Sequence, residues 1–376
     1  MNSTKSCFVT KADAIRSGLR IRNSLFVWLW VGLSSFAFGQ RGGERIFEFV
    51  QLPTSARSTA LGGSQIAATT NDYSLVGGNP AMLNASMDKT FLFQYNFHFA
   101  GIDNGYAGYA KYSPKLQSTI QGGIHYVSYG KFTAADDMGN ITGEFKAKDL
   151  SLQAGIAKQL NDRMSGGLLF QYIQSSYEAY MSNGILLDAG ITYKSEDGLN
   201  YYSLVIRSMG FQFSTYYDGD EPGKAPTDLQ FGFSKRLAHV PFRLSILMHD
   251  INRWDLRYDS PLEEDISLGF GEDEPKKQSA FGEGVDNFFR HLTFGGEIII
   301  GKNENVMLRF AYNHQMAQEL QVVNLRSLAG FSGGVGINFK AFVLDYGFAV
   351  YHQAGSSKHL GLRIPLSSMK EKSIIE

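Results

Sequence analysis

The chain has 376 residues, of which 43% are hydrophobic and 13% aromatic, and its formal net charge is −1 at pH 7. This charge excludes the strongly basic surface by which proteins bind nucleic acid, so no nucleic-acid partner is expected. The single cysteine, Cys7, lies near the start, which excludes a disulfide or a cysteine metal site in the rest of the chain.

The first 39 residues have the pattern of a secretory signal peptide. Basic residues precede an apolar run at 25–38, and Ala37-Phe38-Gly39 is a small-x-small cleavage site. About 14 apolar residues are too few for a typical membrane-spanning helix, so we interpret 1–39 as a cleaved leader rather than an anchor. Export is expected, with Gln40 as the first residue of the mature chain.

Residues 40–89 do not alternate between apolar and polar positions. They are rich in small and polar residues, and Leu61-Gly62-Gly63 and Gly77-Gly78-Asn79-Pro80 indicate a sharply bent, closely packed backbone. Apolar residues such as Phe47 and Phe49 disfavour the alternative, a disordered periplasmic arm. We predict an N-terminal plug segment that fills the lumen of a barrel.

Residues 91–99 read Phe-Leu-Phe-Gln-Tyr-Asn-Phe-His-Phe. All odd positions are aromatic, whereas Gln94, Asn96 and His98 occupy even positions, and only a strand displays a period of two as two faces. This length also suits a tilted strand that crosses a bilayer, with rings toward lipid and polar side chains toward a lumen. One such strand does not make a barrel, so the same alternating pattern must recur along the chain.

The same alternation recurs to residue 364 and predicts about fourteen strands. Their approximate ranges are 91–99, 106–111, 120–129, 150–157, 164–178, 183–194, 200–207, 228–236, 242–249, 290–300, 306–314, 330–339, 341–351 and 357–364. An even number returns the chain to the side where the barrel began. We therefore predict an all-β fold, a transmembrane antiparallel β-barrel over 90–366, followed by a polar tail at 367–376.

The predicted connections alternate in length. Short links are expected near 113–115, 161–163, 195–198, 238–241, 301–305 and 340, and long loops at 130–145, 208–226, 250–288 and 315–328. Short periplasmic turns and long extracellular loops are typical of outer-membrane barrels. A soluble β-sandwich gives no reason for this alternation.

Charges of both signs fall on the inward phase of the predicted strands. These residues are Arg207, Arg243, Arg309, Arg363, Asp188, Glu297 and Asp345. One interpretation is a constriction that selects solutes, and the other is a paired network that braces the barrel. Because the signs are balanced and unpaired charges would be costly there, we favour the network.

Motifs typical of enzymes and metal sites are weak. Gly330-Phe331-Ser332-Gly333-Gly334 matches the G-x-S-x-G string of hydrolases, but that motif requires a strand-to-helix elbow and here lies within a predicted strand. Asp136, Asp137 and Asn140 lack a full set of calcium ligands, and Asp72 is expected to cap a turn. The histidines show no metal-ligand spacing. We predict no enzyme activity and no catalytic, cofactor-binding or metal-ligating residues.

A set of segments after the leader has the pattern of a known family. The set comprises 47–63 (Phe-Glu-Phe-Val-Gln-Leu-Pro-Thr-Ser-Ala-Arg-Ser-Thr-Ala-Leu-Gly-Gly), Asn71-Asp72-Tyr73, Gly78-Asn79-Pro80-Ala81, 101–110, 129–132 with Gly139-Asn140, and 330–355. Together they resemble the PorV/PorQ family, relatives of the FadL-type fatty-acid channels, and most of all its PorQ-like members. The resemblance covers nearly the whole mature chain. The Asn-Pro-Ala element alone is widely shared, whereas the combination is specific.

This resemblance implies a fourteen-stranded outer-membrane barrel of the type IX secretion system of Bacteroidetes-type Gram-negative bacteria. Such barrels belong to a surface attachment complex with the PorU sortase, PorV and PorZ, which processes secreted cargo and attaches it to the cell surface. A PorQ-like chain would anchor a PorZ-like surface protein, and the chemistry would belong to PorU. The polar tail after Pro365 departs from the aromatic C-terminal strand residue of many outer-membrane barrels.

Two functions remain open. The first is an anchor, embedded in outer-membrane lipid, that binds partners through its long loops; the second is a FadL-like channel for small hydrophobic molecules. The longest predicted loop, 250–288, mixes acidic residues with aromatic ones such as Trp254, a composition typical of binding surfaces. A channel would instead need an apolar pocket inside the barrel or beneath the loops.

Overall fold

The computed structural model of the protein describes residues 45–68, 72–257, 280–301, 304–320, 328–339, 341–352 and 355–366. Within these ranges, fourteen antiparallel strands form a closed barrel in which sequence neighbours pair and β1 pairs with β14. The predicted leader and C-terminal tail lie outside the described residues. No helix in the described part of the chain is long and apolar enough to cross a membrane.

The strands confirm the predicted barrel and its order. They are β1 Thr90–Phe97, β2 Asp103–Ser113, β3 Ser118–Ala135, β4 Ile141–Asn161, β5 Met164–Tyr177, β6 Tyr180–Lys194, β7 Asn200–Ser214, β8 Asp228–Arg236, β9 Phe242–Met248, β10 Leu292–Ile300, β11 Val306–Asn313, β12 Phe331–Asn338, β13 Val343–His352 and β14 Gly355–Pro365. The α-helices are α1 Ala56–Ala60, α2 Ala280–Arg290 and α3 His314–Glu319. Short 3-10 turns occupy Glu48–Gln51, Tyr73–Leu75, Pro80–Met82, Ala85–Met87 and Phe99–Gly101.

The first and last strands close the barrel. β1 pairs along its whole length with β14, with Phe91 opposite Ile364 and Phe97 opposite Lys358. Because its other edge pairs with β2, the first strand leaves no free row of backbone donors and acceptors. Complete pairing of this kind is what a sheet needs in hydrocarbon, where no water is present to satisfy the backbone.

The two faces of β1 are those predicted from its sequence. Phe93 and Phe97 are 46% and 48% exposed on the outside, whereas the inward Gln94 is 5% exposed. Aromatic residues favour strands and here also form a lipid-facing band. The strand ends at Phe97 rather than at Phe99, because Ala100 adopts a left-handed conformation (φ 58°) in the following turn.

The short turns form at one end of the barrel where small polar signals predicted them. Asn161 makes an Asx turn between β4 and β5, in which its side-chain oxygen accepts from the backbone N–H groups of Arg163 and Met164 at 2.9 and 2.8 Å. Between β6 and β7, Gly198 supplies the required left-handed conformation (φ 68°). The predicted link 301–305 is described at its ends, where Glu304 N donates to Gly301 O at 3.1 Å, and the predicted link at 340 lies outside the described residues.

The predicted loop at 130–145 is wrong, because most of it is strand. β3 and β4 continue to pair there, with Phe132 opposite Phe145, and the connection is a tight turn in which Asp136 accepts from the N–H of Asn140 at 2.8 Å. The extension is exposed to water on both faces, so its sequence lacks the alternation that marks the rest of the barrel. The result is a hairpin that projects from the rim.

The other predicted long loops also contain ordered elements. β7 extends to Ser214, α2 occupies the end of the predicted loop 250–288, and α3 begins the connection after β11. Not every connection at the end of the barrel opposite the short turns is long, since only Glu178 and Ala179 separate β5 from β6. Residues 258–279 and 321–327 lie outside the described ranges.

The long-connection end is expected to face the exterior of the cell. In a Cys7→Ser background, Asp218→Cys, in the exposed connection after β7, should react with an impermeant thiol reagent on intact cells. His239→Cys, in the exposed turn between β8 and β9, should react only after the outer membrane is permeabilised. Labelling of His239→Cys alone on intact cells would contradict this topology.

Candidate functional site

The lumen contains the chain's own N-terminal segment, residues 45–68 and 72–88. At the long-connection end, the N–H of Ile46 donates to Lys224 O at 3.0 Å and Gln51 donates to Pro226 O at 2.7 Å. At the short-turn end, the Ser165 hydroxyl donates to Ala81 O at 2.8 Å. The segment therefore runs through the barrel from the long-connection end before β1 begins at the other end.

Two cross-strand glycine pairs on the inner wall let this segment approach closely. Gly334 on β12 lies opposite Gly347 on β13, and α1 packs on them. A Cβ at Gly334 would lie 2.6 Å from Ala60 Cβ, and one at Gly347 would collide with Ala56 O. Gly334 of the hydrolase-like string therefore serves packing against α1, and Ser332 of the same string donates to Ala60 O at 3.3 Å.

The second glycine pair holds the Asn-Pro-Ala element. Gly167 on β5 lies opposite Gly190 on β6, and side chains there would collide with Pro80 and Asn79. The fully buried Asn79 side chain donates to Ile66 O at 2.7 Å and to the Thr192 hydroxyl at 2.9 Å. Asn79 therefore joins two parts of the segment to the barrel wall.

A buried ion cluster fixes the segment in the short-turn half of the barrel. Arg57, on α1, donates twice to Glu297, at 3.0 and 2.7 Å, and once to Asp72, at 2.7 Å. The wall residues Arg243 and Arg309 donate to the same Glu297 carboxylate at 2.8 and 3.1 Å. The two bonds from Arg57 to Glu297 form a bidentate pair, which is the strong form of an arginine–carboxylate contact.

The cluster extends from Glu297 and Asp72 to neighbouring strands. Arg309 also donates to Asp345 at 2.5 Å, and Arg363 lies 3.3 Å from Asp72. Burial opposes ionisation of the Asp72 carboxyl, but Arg363 and Arg57 outweigh it and hold its pKa below the ordinary range. Asp72 also caps the turn Tyr73–Leu75 as predicted, by accepting from Ser74 N at 2.9 Å.

The predicted inward charges face the lumen, and five of the seven join this network. The other two lie apart from it: Arg207 donates to Val50 O at 3.1 Å, and Asp188 accepts from Ser208 N at 2.6 Å. Sequence reasoning missed Arg57, the residue at the centre. The available signal was a single arginine within the small-residue run 55–60, where it has no solvent-exposed helix face to occupy.

An apolar compartment occupies the lumen in the half nearer the long connections. Its wall consists of Val127, Ile173 and Leu186, which are fully buried. Phe47, Phe49 and Val50 of the N-terminal segment fill it. Further apolar clusters lie elsewhere in the barrel, where Tyr73 packs with Leu92 and where Ile66 packs with Val205. This compartment differs from them because it contains the first described residues of the segment, at the long-connection end.

Two further spaces flank the barrel wall. A cavity of about 310 Å³ at the long-connection mouth has a charged and polar lining that includes Arg45, Arg207 and Asp250. A groove of about 800 Å³, lined by residues such as Tyr95 and Leu360, lies on the outward face. Acyl chains would cover that groove in a membrane, so the lumen and its mouth are the candidate functional site. Within the described ranges, no group of acidic and histidine side chains is placed to hold a metal ion.

Comparison with solved structures supports the barrel fold. The crystal structure of the Pseudomonas putida toluene transporter TodX matches over 83% of this chain and 96% of its own, with 12% identity and a TM-score of 0.50. The CymD monoaromatic hydrocarbon channel matches with 13% identity and a TM-score of 0.48, over 84% of this chain and 97% of its own. A Pseudomonas aeruginosa FadL homologue matches with 10% identity and a TM-score of 0.44, over 83% and 98%.

At such low identity, the likeness to TodX shows the fold alone. No protein-family model and no curated protein matches the sequence. The resemblance to the PorV/PorQ family therefore depends on the residues quoted for it. The closed barrel and its outward apolar band are those of an outer-membrane β-barrel.

Glu297→Gln should destabilise the barrel, because Arg57, Arg243 and Arg309 would then surround a neutral amide. We expect the free energy of unfolding, measured by urea titration in detergent, to fall by about 3–5 kcal/mol. The control is Glu304→Gln, which breaks a 2.7 Å pair with Arg236 in which both side chains are more than a third exposed. Its loss should not exceed about 1 kcal/mol. Equal losses of unfolding free energy in the two variants would show that the buried cluster stabilises the barrel no more than an exposed ion pair does.

Proposed function

We propose that the barrel takes up small hydrophobic molecules through its lumen and that the N-terminal segment is the plug that closes it. The apolar compartment carries this proposal. A hydrophobic molecule that replaced Phe47 and Phe49 against Val127, Ile173 and Leu186 would bury comparable apolar surface. The barrel fold shared with a toluene transporter agrees with this function but does not specify it.

Phe47 makes such displacement energetically accessible. Its backbone is left-handed (φ 59°, ψ 29°), which is unusual for a bulky residue and costs about 1–3 kcal/mol. Full burial of a phenylalanine side chain stabilises by about 1.5–3 kcal/mol. Because the two terms are similar, Phe47 itself adds little net stability, and the contacts that a ligand must displace are the hydrogen bonds of Ile46 and Gln51 and the ring of Phe49. The Arg57 cluster, in the other half of the barrel, keeps the plug attached while residues 45–52 move.

The channel can be tested by emptying the compartment. The double variant Phe47→Ala/Phe49→Ala should raise the uptake of labelled toluene by intact cells several-fold over cells that carry an equal amount of the wild-type protein. The matched control is Phe132→Ala/Phe145→Ala, which removes a stacked ring pair (5.2 Å) from the projecting hairpin and should leave uptake unchanged. Uptake by cells with the first variant no faster than by cells without the barrel would exclude the channel.

A second function, the anchor of a surface attachment complex, is favoured by that hairpin. It projects beyond the rim, and its Phe132, Met138 and Ile141 are 42%, 88% and 76% exposed. Large apolar side chains on a protruding element fit a protein partner, here a PorZ-like surface protein acting with PorU and PorV. The family resemblance supports the same partner. The predicted docking loop 250–288 is described only at its ends.

The anchor predicts the opposite response of the same two variants. Phe132→Ala/Phe145→Ala should release a PorZ-like protein and secreted cargo from the cell surface into the medium, because binding energy is concentrated in a few apolar anchors. Phe47→Ala/Phe49→Ala should leave both attached. The measurement is a quantitative comparison of surface and medium proteins in cells with equal amounts of barrel. Retention of partner and cargo by the hairpin variant would contradict docking at this site.

A further inference from the structure

The helix α2, in the connection before β10, is amphipathic in the reverse of the usual sense. Val285, Phe288 and Phe289 share one face at i, i+3 and i+4, and each is about 40% exposed. The polar Asn287 lies on the opposite face and is 6% exposed, and Asp286 lies on the flank between the two faces and is half-buried. A surface helix of a water-soluble domain buries its apolar face and exposes its polar face.

Hydrogen bonds explain why the polar face is turned toward the protein. Asp286 accepts from Arg290 at 2.7 Å and lies 3.1 Å from the ring nitrogen of His314. The buried Asn287 accepts from Leu256 N at 3.0 Å, and Arg257 donates to Glu283 at 3.0 Å. The Asp286–Arg290 contact lies within α2, and the other three tie the helix to α3 and to the chain before it, so the apolar face cannot turn inward without breaking them.

The exposed face is continuous with the lipid-facing band of the barrel. Phe331 on the outside of β12 is 50% exposed and lies 4.9 Å, between ring centroids, from Tyr312. The ring of His314 lies 5.9 Å from Tyr312 and 6.1 Å from Phe289. Phe289 in turn lies 5.8 Å from Phe288. A row of rings thus leads from the barrel wall to α2 at the long-connection rim.

We propose that α2 lies in the membrane interface of the outer leaflet, with Val285, Phe288 and Phe289 in contact with lipid. Aromatic side chains prefer the boundary between acyl chains and headgroups, and an amphipathic helix binds there through its apolar face. Lipid, rather than a protein partner, is the occupant because the face continues a surface that lipid already covers. The longest connection is thereby tethered to the bilayer beside the barrel.

The test uses single spin labels in a Cys7→Ser background, in the full-length barrel reconstituted into phosphatidylcholine vesicles. Oxygen concentrates in lipid and a nickel chelate in water, so the ratio of the two accessibilities reports the surroundings of each label. Val285→Cys is the test position. Phe331→Cys, on the lipid-facing band, and Met138→Cys, at the tip of the projecting hairpin, are the lipid and water controls.

The ratio at Val285 should match that at Phe331 and exceed that at Met138 several-fold. Glu283→Cys, on the polar face, should give a lower ratio than Val285. A ratio at Val285 equal to that at Met138 would overturn the proposal. The same labels are then measured in native outer membranes. If the label at Val285 becomes inaccessible to both oxygen and the nickel chelate there, a protein covers the helix, and the proposal is likewise overturned.

Discussion

Hydrocarbon cannot satisfy backbone hydrogen bonds, and this constraint determines the architecture. It forces β1 to pair with β14, since an open edge would leave donors and acceptors unpaired in lipid. Once the sheet is closed, alternate residues must face lipid and lumen. Phe93 and Phe97 therefore lie outside and Gln94 inside, and the polar wall that results needs partners within the barrel.

The N-terminal segment supplies those partners in two different ways. In the short-turn half, Arg57 and Asp72 complete a charge cluster with Glu297 and Arg363, where the loss of one member leaves a buried charge unpaired. In the long-connection half, Phe47 and Phe49 make apolar contacts and part of the backbone is strained. The first half is therefore held by buried charges, whereas the second is held by apolar contacts and by hydrogen bonds such as that from Gln51 to Pro226 O.

The sequence predicted the barrel because lipid imposes a period of two that is visible along fourteen strands. It also predicted the inward charges, since Glu297 and Arg309 break the apolar pattern on only one face. It missed the pairing of 131–146, where both faces of the hairpin meet water and no period is imposed. Arg57 was missed because its partner Glu297 is 240 residues away in sequence, and only tertiary structure joins them.

The reversed polarity of α2 follows from the same constraint as the strands. Where lipid surrounds an element, apolar side chains face outward and polar groups turn toward protein, as Phe288 and Asn287 do. A helix fixed in this way beside the rim would restrict the connection before β10 without occupying the lumen. The projecting hairpin connects β3 and β4, away from α2 on the rim, and its Met138 is exposed. The proposed uptake through the lumen and the proposed docking at the hairpin thus involve separate parts of the molecule, so that a variant of one part leaves the other part intact.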